Sequence, residues 1–126
     1  MKNLLVISLF TLFITSCKKD HTESTATSPF VGNWTGTYIG TSDEGGIIMS
    51  ISSTGSITGT VSSQATGATY GFNGSVSSTG QMQASSGTGA DTGTFTGTLS
   101  GNSGNGTWQS NAVPPSGSGT WACTRQ

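Results

Sequence analysis

The sequence predicts an all-β protein, a small antiparallel up-and-down β-barrel of about eight strands. Three observations lead to this fold class. Half of the 126 residues are Gly, Ser or Thr and only 7% are charged, a composition unsuited to helical bundles and coiled coils. From residue 30 onward, apolar residues alternate with Gly, Ser or Thr, which is the period of half-buried strands. Glycine also recurs at inward positions of that alternation, where tight curvature would require it.

Residues 1–16 have the pattern of a bacterial export signal. Lys2 supplies a positive charge, and the mainly apolar segment Leu4–Ile14 follows it. This segment is shorter than the roughly 20 apolar residues of a membrane-spanning helix. Polar residues begin directly after Cys17. We therefore expect a signal peptide rather than a transmembrane helix.

The signal ends in Ile14-Thr15-Ser16-Cys17, which resembles the lipobox of bacterial lipoproteins. In that family the cysteine becomes the mature N-terminus and carries diacylglycerol and an N-acyl chain. The resemblance implies a covalent lipid on Cys17, no other cofactor, and a membrane partner reached through that anchor. Because Lys18 follows the cysteine, instead of the Asp typical of inner-membrane retention, the resemblance also implies the outer membrane, at its periplasmic or its surface face.

Residues 17–29 are predicted to be a flexible tether, because they are polar and have no apolar face. The single histidine, His21, lies in this tether. Residues 30–126 form the folded domain. If Cys17 carries lipid, Cys123 has no intramolecular disulfide partner.

Alternation and turn signals predict eight strands, at roughly 31–40, 46–53, 55–63, 68–77, 80–86, 93–100, 104–110 and 117–125. Turns are expected at 51–55, 76–80 and 99–104. Asn73-Gly74 and Asn105-Gly106 are also hairpin signals, but turns there would leave the flanking strands too short, so both are placed inside strands. The turn spacing of about 25 residues also suits a β-solenoid, which is the alternative fold.

The first predicted strand contains Gly32 and Trp34 in a Gly-x-Trp pattern. It resembles the opening strand of lipocalins and avidins, in which an arginine from the end of the chain packs across this tryptophan. The single arginine here, Arg125, shares the inward register of Trp121. The resemblance implies that Gly32, Trp34 and Arg125 close the barrel, with the guanidinium within about 6 Å of the Trp34 ring.

Chemically reactive residues are scarce in the folded domain. It contains no His or Lys, and its acids, Asp43, Glu44 and Asp91, fall in predicted loops. We expect these acids to keep the surface soluble; a paired-carboxylate glycosidase and a weak calcium site are less favoured. No catalytic residue or metal ligand is predicted, so we expect no enzyme. The scarcity of Lys and Arg excludes nucleic acid as a partner.

The aromatic residues leave two functions open. Tyr38, Tyr70, Trp108 and Trp121 either line a cavity for a small apolar or sugar-like ligand or fill the interior of a small barrel. The first alternative, the leading hypothesis, is a binding module. The second is a structural or surface-interaction lipoprotein that displays the loops 40–46, 87–92 and 111–116. A cavity of about 300 Å³ or more, open at one end, would favour a ligand.

Overall fold

The computed structural model describes residues 27–87, 92–111 and 117–126, which form a closed barrel of eight antiparallel strands. The strands are β1 Gly32–Gly40, β2 Glu44–Ile51, β3 Ser56–Ser63, β4 Thr69–Val76, β5 Gln81–Ser86, β6 Gly93–Ser100, β7 Ser103–Ser110 and β8 Ser118–Arg125. Each strand pairs with the next, and β8 pairs with β1 to close the barrel. The predicted up-and-down barrel is confirmed, and the solenoid alternative is wrong.

The predicted strands agree with the observed ones to within about one residue, except for β2, which was expected at 46–53 and is observed at Glu44–Ile51. Asn73 and Asn105 lie inside β4 and β7, as expected. β2 begins at Glu44 instead of residue 46, because its pairing with β1 extends as far as Glu44 opposite Ile39. The first connection is therefore only residues 41–43, shorter than the loop 40–46 that was expected.

The alternation correctly separates the interior from the surface. The apolar side chains that the alternation places on the inner face of the strands are buried, and the largest fully buried ones are Trp34, Phe72, Phe95, Ile51, Ile57 and Leu99. The outward residues between them are mainly exposed Thr and Ser. Burial of a continuous apolar interior is thus the main force that fixes which face of each strand points inward.

Inward glycines allow neighbouring strands to approach closely. A Cβ at Gly36 would collide with the backbone of Ala122 and Cys123 in β8. At Gly97 it would meet the backbone of Gly106 and lie 2.6 Å from a ring carbon of Trp121. The glycines therefore let a small barrel curve tightly while large rings fill the space beside them.

The barrel has two distinct ends. The closed end carries the short turns 52–55, 77–80 and 101–102, together with the chain segment 27–31 that leads into β1. The open end carries the connections 41–43 and 64–68 and the adjoining ends of the strands. The chain enters at the closed end, where the Ser28 N–H donates to the Ser53 carbonyl at 2.7 Å.

Candidate functional site

Trp34 and Arg125 meet at the closed end, as the sequence predicts. They are directly opposite each other in the β1–β8 register, and the guanidinium carbon lies 5.0 Å from the centroid of the Trp34 ring. The indole N–H of Trp34 donates to the Phe30 carbonyl at 2.9 Å, and Phe30 is itself buried. Gly32 has a φ of 139° and lies beside the Arg125 side chain, which a Cβ there would touch at 3.4 Å.

The Arg125 guanidinium joins three parts of the closed end. It donates to the carbonyls of Val31 at 3.1 Å, Pro29 at 2.8 Å and Gly101 at 2.8 Å. The first two belong to the segment before β1, and the third belongs to the β6–β7 turn. One cationic side chain therefore fixes the entering chain and a turn against the indole of Trp34.

A recess of about 280 Å³ lies at the open end. This volume is slightly below the size of about 300 Å³ that was expected to favour a ligand. Four aromatic residues line it: Tyr38, Tyr70, Phe95 and Trp108. Its hydroxyl-bearing residues are Ser42, Ser63, Thr66, Ser86, Thr92 and Ser110. Three of the four aromatic residues singled out from the sequence thus converge on this recess.

Trp121, the fourth of those residues, does not line the recess. Its side chain is buried beside Gly97, and its indole N–H donates to the Thr96 carbonyl at 3.0 Å. In the described structure Trp121 therefore fills the interior where the inward glycines leave space.

Three of the recess aromatics, Tyr38, Phe95 and Trp108, pack against one another, and the rings of Phe95 and Trp108 are stacked with 6.3 Å between their centroids. Tyr38 makes edge-to-face contacts with Trp108 at 5.3 Å and with Phe95 at 5.9 Å between ring centroids. The Trp108 indole N–H donates to the Ile39 carbonyl at 3.1 Å. These contacts hold Tyr38, Phe95 and Trp108 in place where they line the recess.

Asp43 is the acidic residue of the recess, and its carboxylate is held by several donors. Its Oδ2 accepts from the Tyr38 hydroxyl at 2.8 Å, and its Oδ1 accepts from the backbone N–H groups of Glu44 at 2.8 Å and Ala65 at 3.0 Å. The Ser63 side chain also lies close enough to lower the pKa of this carboxyl group. Asp43 thereby links the β1–β2 and β3–β4 connections at the mouth of the barrel.

These contacts shift the pKa values of Asp43 and Tyr38. Burial alone would raise the pKa of Asp43, but the hydrogen bonds from Ser63, Ala65, Tyr38 and Glu44 outweigh it and hold that pKa below its usual range. Burial, and then the hydrogen bond to Asp43, raise the pKa of Tyr38. At neutral pH the recess therefore contains a carboxylate anion and a protonated phenol that donates to it.

Sequence reasoning missed Asp43 and the serines of the recess. Asp43 was expected to be a solvated loop acid, whereas it is half-buried and hydrogen-bonded on both oxygens. Ser63 and Ser86 are buried, with 6% and 8% of their surface exposed. A signal for the serines existed, because each lies two residues beyond a predicted inward residue, Val61 or Ala84.

Several predictions concern residues outside the described ranges. They are the signal peptide of residues 1–16, the lipid anchor Cys17, most of the tether 17–29 with His21, the loop acid Asp91, and most of the loops 87–92 and 111–116. Within the described ranges, no group of His, Cys, Asp and Glu is arranged to hold a metal ion, and no helix has the length and apolar character to cross a membrane. Cys123 is a buried free thiol, and burial raises its pKa to about 11.

Comparisons with protein-family models, with curated proteins and with solved structures find no match. The eight-stranded antiparallel barrel is consistent with a calycin-like fold. The resemblance to lipocalins and avidins therefore depends on this architecture and on the contact between Trp34 and Arg125.

Proposed function

We propose that this chain is a lipid-anchored protein of the bacterial envelope whose barrel binds a small molecule at its open end. The observation that carries the binding function is the recess of about 280 Å³, with aromatic walls and a fixed carboxylate. Small-molecule sites combine such apolar walls with a few oriented polar groups. The lipid anchor is supported by the Ile14-Thr15-Ser16-Cys17 pattern.

The proposed anchor and recess have a consistent geometry. Ser28, near the end of the proposed tether, is hydrogen-bonded at the closed end of the barrel. A tether that joins there would present the closed end to the membrane and leave the recess facing away from it. The recess would then be accessible to a ligand diffusing in the aqueous phase.

A binding role is favoured over catalysis by the residues around the recess. Among the described residues, Asp43 is the only carboxylate that lines it, and no Lys or His is present. A paired-carboxylate mechanism needs a second acid on the other side of the bond that breaks. We therefore propose no enzymatic activity for the described part of the chain.

The binding function is tested by identifying what co-purifies with the protein from its own host. Mass spectrometry should find a small molecule enriched with the wild-type chain. The Ser42→Trp variant, which places a large ring at the rim of the recess, should lose that molecule. The matched control is Thr58→Trp, on the exposed face of β3, which should retain it. If no small molecule is enriched, or if both variants retain it equally, the barrel is better explained as a filled structural module.

The anchor is tested separately by fractionation. The wild-type chain should incorporate a labelled fatty acid and sediment with membranes, whereas Cys17→Ala should incorporate none and be released. Cys123→Ala is the matched control and should behave as the wild type, because that thiol is buried in the barrel. A Cys17→Ala chain that still carried the labelled lipid would contradict the anchor.

A further inference from the structure

The open end carries a negative charge that has no nearby counter-charge in the described part of the chain. The charged side chains described there are Asp43, Glu44 and Arg125. Arg125 lies opposite Trp34 at the start of β1, whereas Asp43 follows the end of that strand. At about 3.3 Å per residue this separates them by at least about 20 Å, well beyond the screening length of about 8 Å at physiological salt.

The Asp43 carboxylate has little hydrogen-bonding capacity left for a ligand. Its donors are the Tyr38 hydroxyl and the N–H groups of Glu44 and Ala65. A carboxylate offers about four lone-pair positions, and these donors occupy most of them. What Asp43 offers to a ligand is therefore its charge rather than a free acceptor.

The same recess provides the groups that attract a cation without hydrogen bonds. Tyr38, Tyr70, Phe95 and Trp108 line it together with Asp43. Aromatic rings attract ammonium groups electrostatically, and methylated ammonium groups in particular are bound by clusters of aromatic rings. A carboxylate surrounded by its own donors and placed among such rings suits a cation that has no N–H group to donate.

The recess also contains a nearly buried serine. Ser86 lines it with 8% of its surface exposed, and its hydroxyl oxygen is not among the buried atoms that lack a partner in the described residues, of which the Arg125 Nε is the one present. The Ser86 hydroxyl is therefore accessible from the recess. It can hydrogen-bond to a ligand hydroxyl group beside the cationic centre.

We propose that the recess binds a small organic cation, a methylated ammonium compound with a hydroxyl group, held by the charge of Asp43, the surrounding aromatic rings and Ser86. This inference rests on the proposed binding function and specifies its ligand class. An anionic ligand would be repelled by Asp43. A neutral sugar can hydrogen-bond to the hydroxyl groups of the recess but gains nothing from the charge of Asp43.

The test compares two soluble probes of the same shape, choline and its uncharged analogue 3,3-dimethylbutan-1-ol. The full chain is labelled with ¹⁵N, held in maltoside micelles, and observed through the indole N–H signals of its three tryptophans. Trp108 lines the recess, whereas Trp34 and Trp121 do not. Choline should shift the Trp108 signal alone and bind about tenfold more tightly than the neutral analogue.

Variants identify the source of that preference. Asp43→Asn should weaken choline binding about tenfold while changing the affinity for the neutral analogue less than about twofold. Glu44→Gln removes the same charge from the exposed neighbour, which does not line the recess, and should leave both affinities within about twofold of wild type. If Asp43→Asn does not fold, the wild-type comparison of the two probes still decides the question.

The outcomes separate this inference from the binding function. Equal or tighter binding of the neutral analogue overturns the proposal of a cationic ligand, but leaves the proposed binding function intact. If choline does not shift the indole N–H signal of Trp108, the proposal of a cationic ligand is also overturned. The co-purification experiment then decides whether any ligand exists. Displacement of choline by phosphatidylcholine vesicles, but not by phosphatidylglycerol vesicles, would assign the cation to a lipid headgroup. Displacement by neither would assign it to a free molecule.

Discussion

The closed and open ends of the barrel use their inward side chains differently. At the closed end, Trp34 is fully buried and Arg125 binds three backbone carbonyls across it. At the open end, two inward positions carry serine, Ser63 and Ser86. The ring of Trp108 borders a recess there. One end is thus filled and hydrogen-bonded to the entering chain, and the other keeps space beside a carboxylate. The difference indicates that stability is concentrated at one end, which leaves the other free to accept a ligand.

The largest effect is expected from the tryptophan of the closed end. Trp34→Ala removes a fully buried ring and should lower the free energy of unfolding by about 4 kcal/mol. Trp108→Ala should cost about half as much, because its ring borders the recess and water can occupy part of the space it leaves. Urea denaturation of both variants measures the difference. Equal losses would contradict the unequal division of stability between the ends.

Arg125 should produce the next largest effect. Arg125→Ala removes the donors to the Pro29, Val31 and Gly101 carbonyls and the contact with Trp34. We expect a loss of about 2 kcal/mol.

The matched variant Arg125→Lys keeps the charge but not the planar set of donors, and should recover less than half of that loss. Thermal or urea denaturation of the two variants decides this. Full recovery by lysine would show that Arg125 acts through its charge alone, and not by joining the segments of the closed end.

At the open end, a smaller effect is expected from Asp43, and it depends on pH. Although burial raises the pKa of Asp43, its hydrogen bonds hold the net value below the usual range. The resulting stabilisation is present above the unfolded pKa of about 4 and is lost as the pH falls through the lower folded value.

Asp43→Asn should therefore lose less stability than the wild type between about pH 5 and pH 2. Glu44→Gln is the charge-matched control and should follow the wild-type profile, since Asp43 and its hydrogen bonds are retained in it. Denaturation measured across this pH range tests the difference. Parallel profiles for wild type and Asp43→Asn would contradict the role of the Asp43 hydrogen bonds.

The fold was predictable because one local rule, the alternation of apolar and polar residues, extends along every strand. A shift by one residue would have exposed Trp34 or Phe72, so the pattern determines the interior. The contact of Arg125 with Trp34 was predicted from the resemblance to lipocalins and avidins. Parity and antiparallel closure agree with it, because they place the two residues opposite each other.

The recess was less predictable because it depends on contacts made beyond the strands. Asp43 gains a partner from the backbone N–H of Ala65, which is distant in sequence and belongs to another connection. Nothing in the local pattern around Asp43 distinguishes it from its exposed neighbour Glu44. Ser63 and Ser86, in contrast, follow the inward parity of their strands, and extending the alternation by one more step would have placed them inside.

The smallest effect is expected from the repeated turns of the closed end. In the turn 77–80, the Ser77 hydroxyl is 3.0 Å from that of Thr79 and accepts from the Gln81 N–H at 3.0 Å, and Gly80 takes a φ of 97°. The turn 52–55 repeats this arrangement, with the Ser52 hydroxyl accepting from the Ser56 N–H at 3.2 Å. Both turns repeat the sequence Ser-Ser-Thr-Gly, which accounts for the shared geometry.

Ser77→Ala should therefore lower the free energy of unfolding by about 0.5 to 1 kcal/mol. Ser52→Ala should match it within experimental error, because each variant leaves an equivalent backbone N–H without its side-chain acceptor. Ser78→Ala lies in the same turn outside these hydrogen bonds and should have little effect. If Ser78→Ala were as destabilising as Ser77→Ala, the loss would come from the turn residues in general. If all three variants were neutral, the closed end would owe its stability to Trp34 and Arg125 and not to its turns.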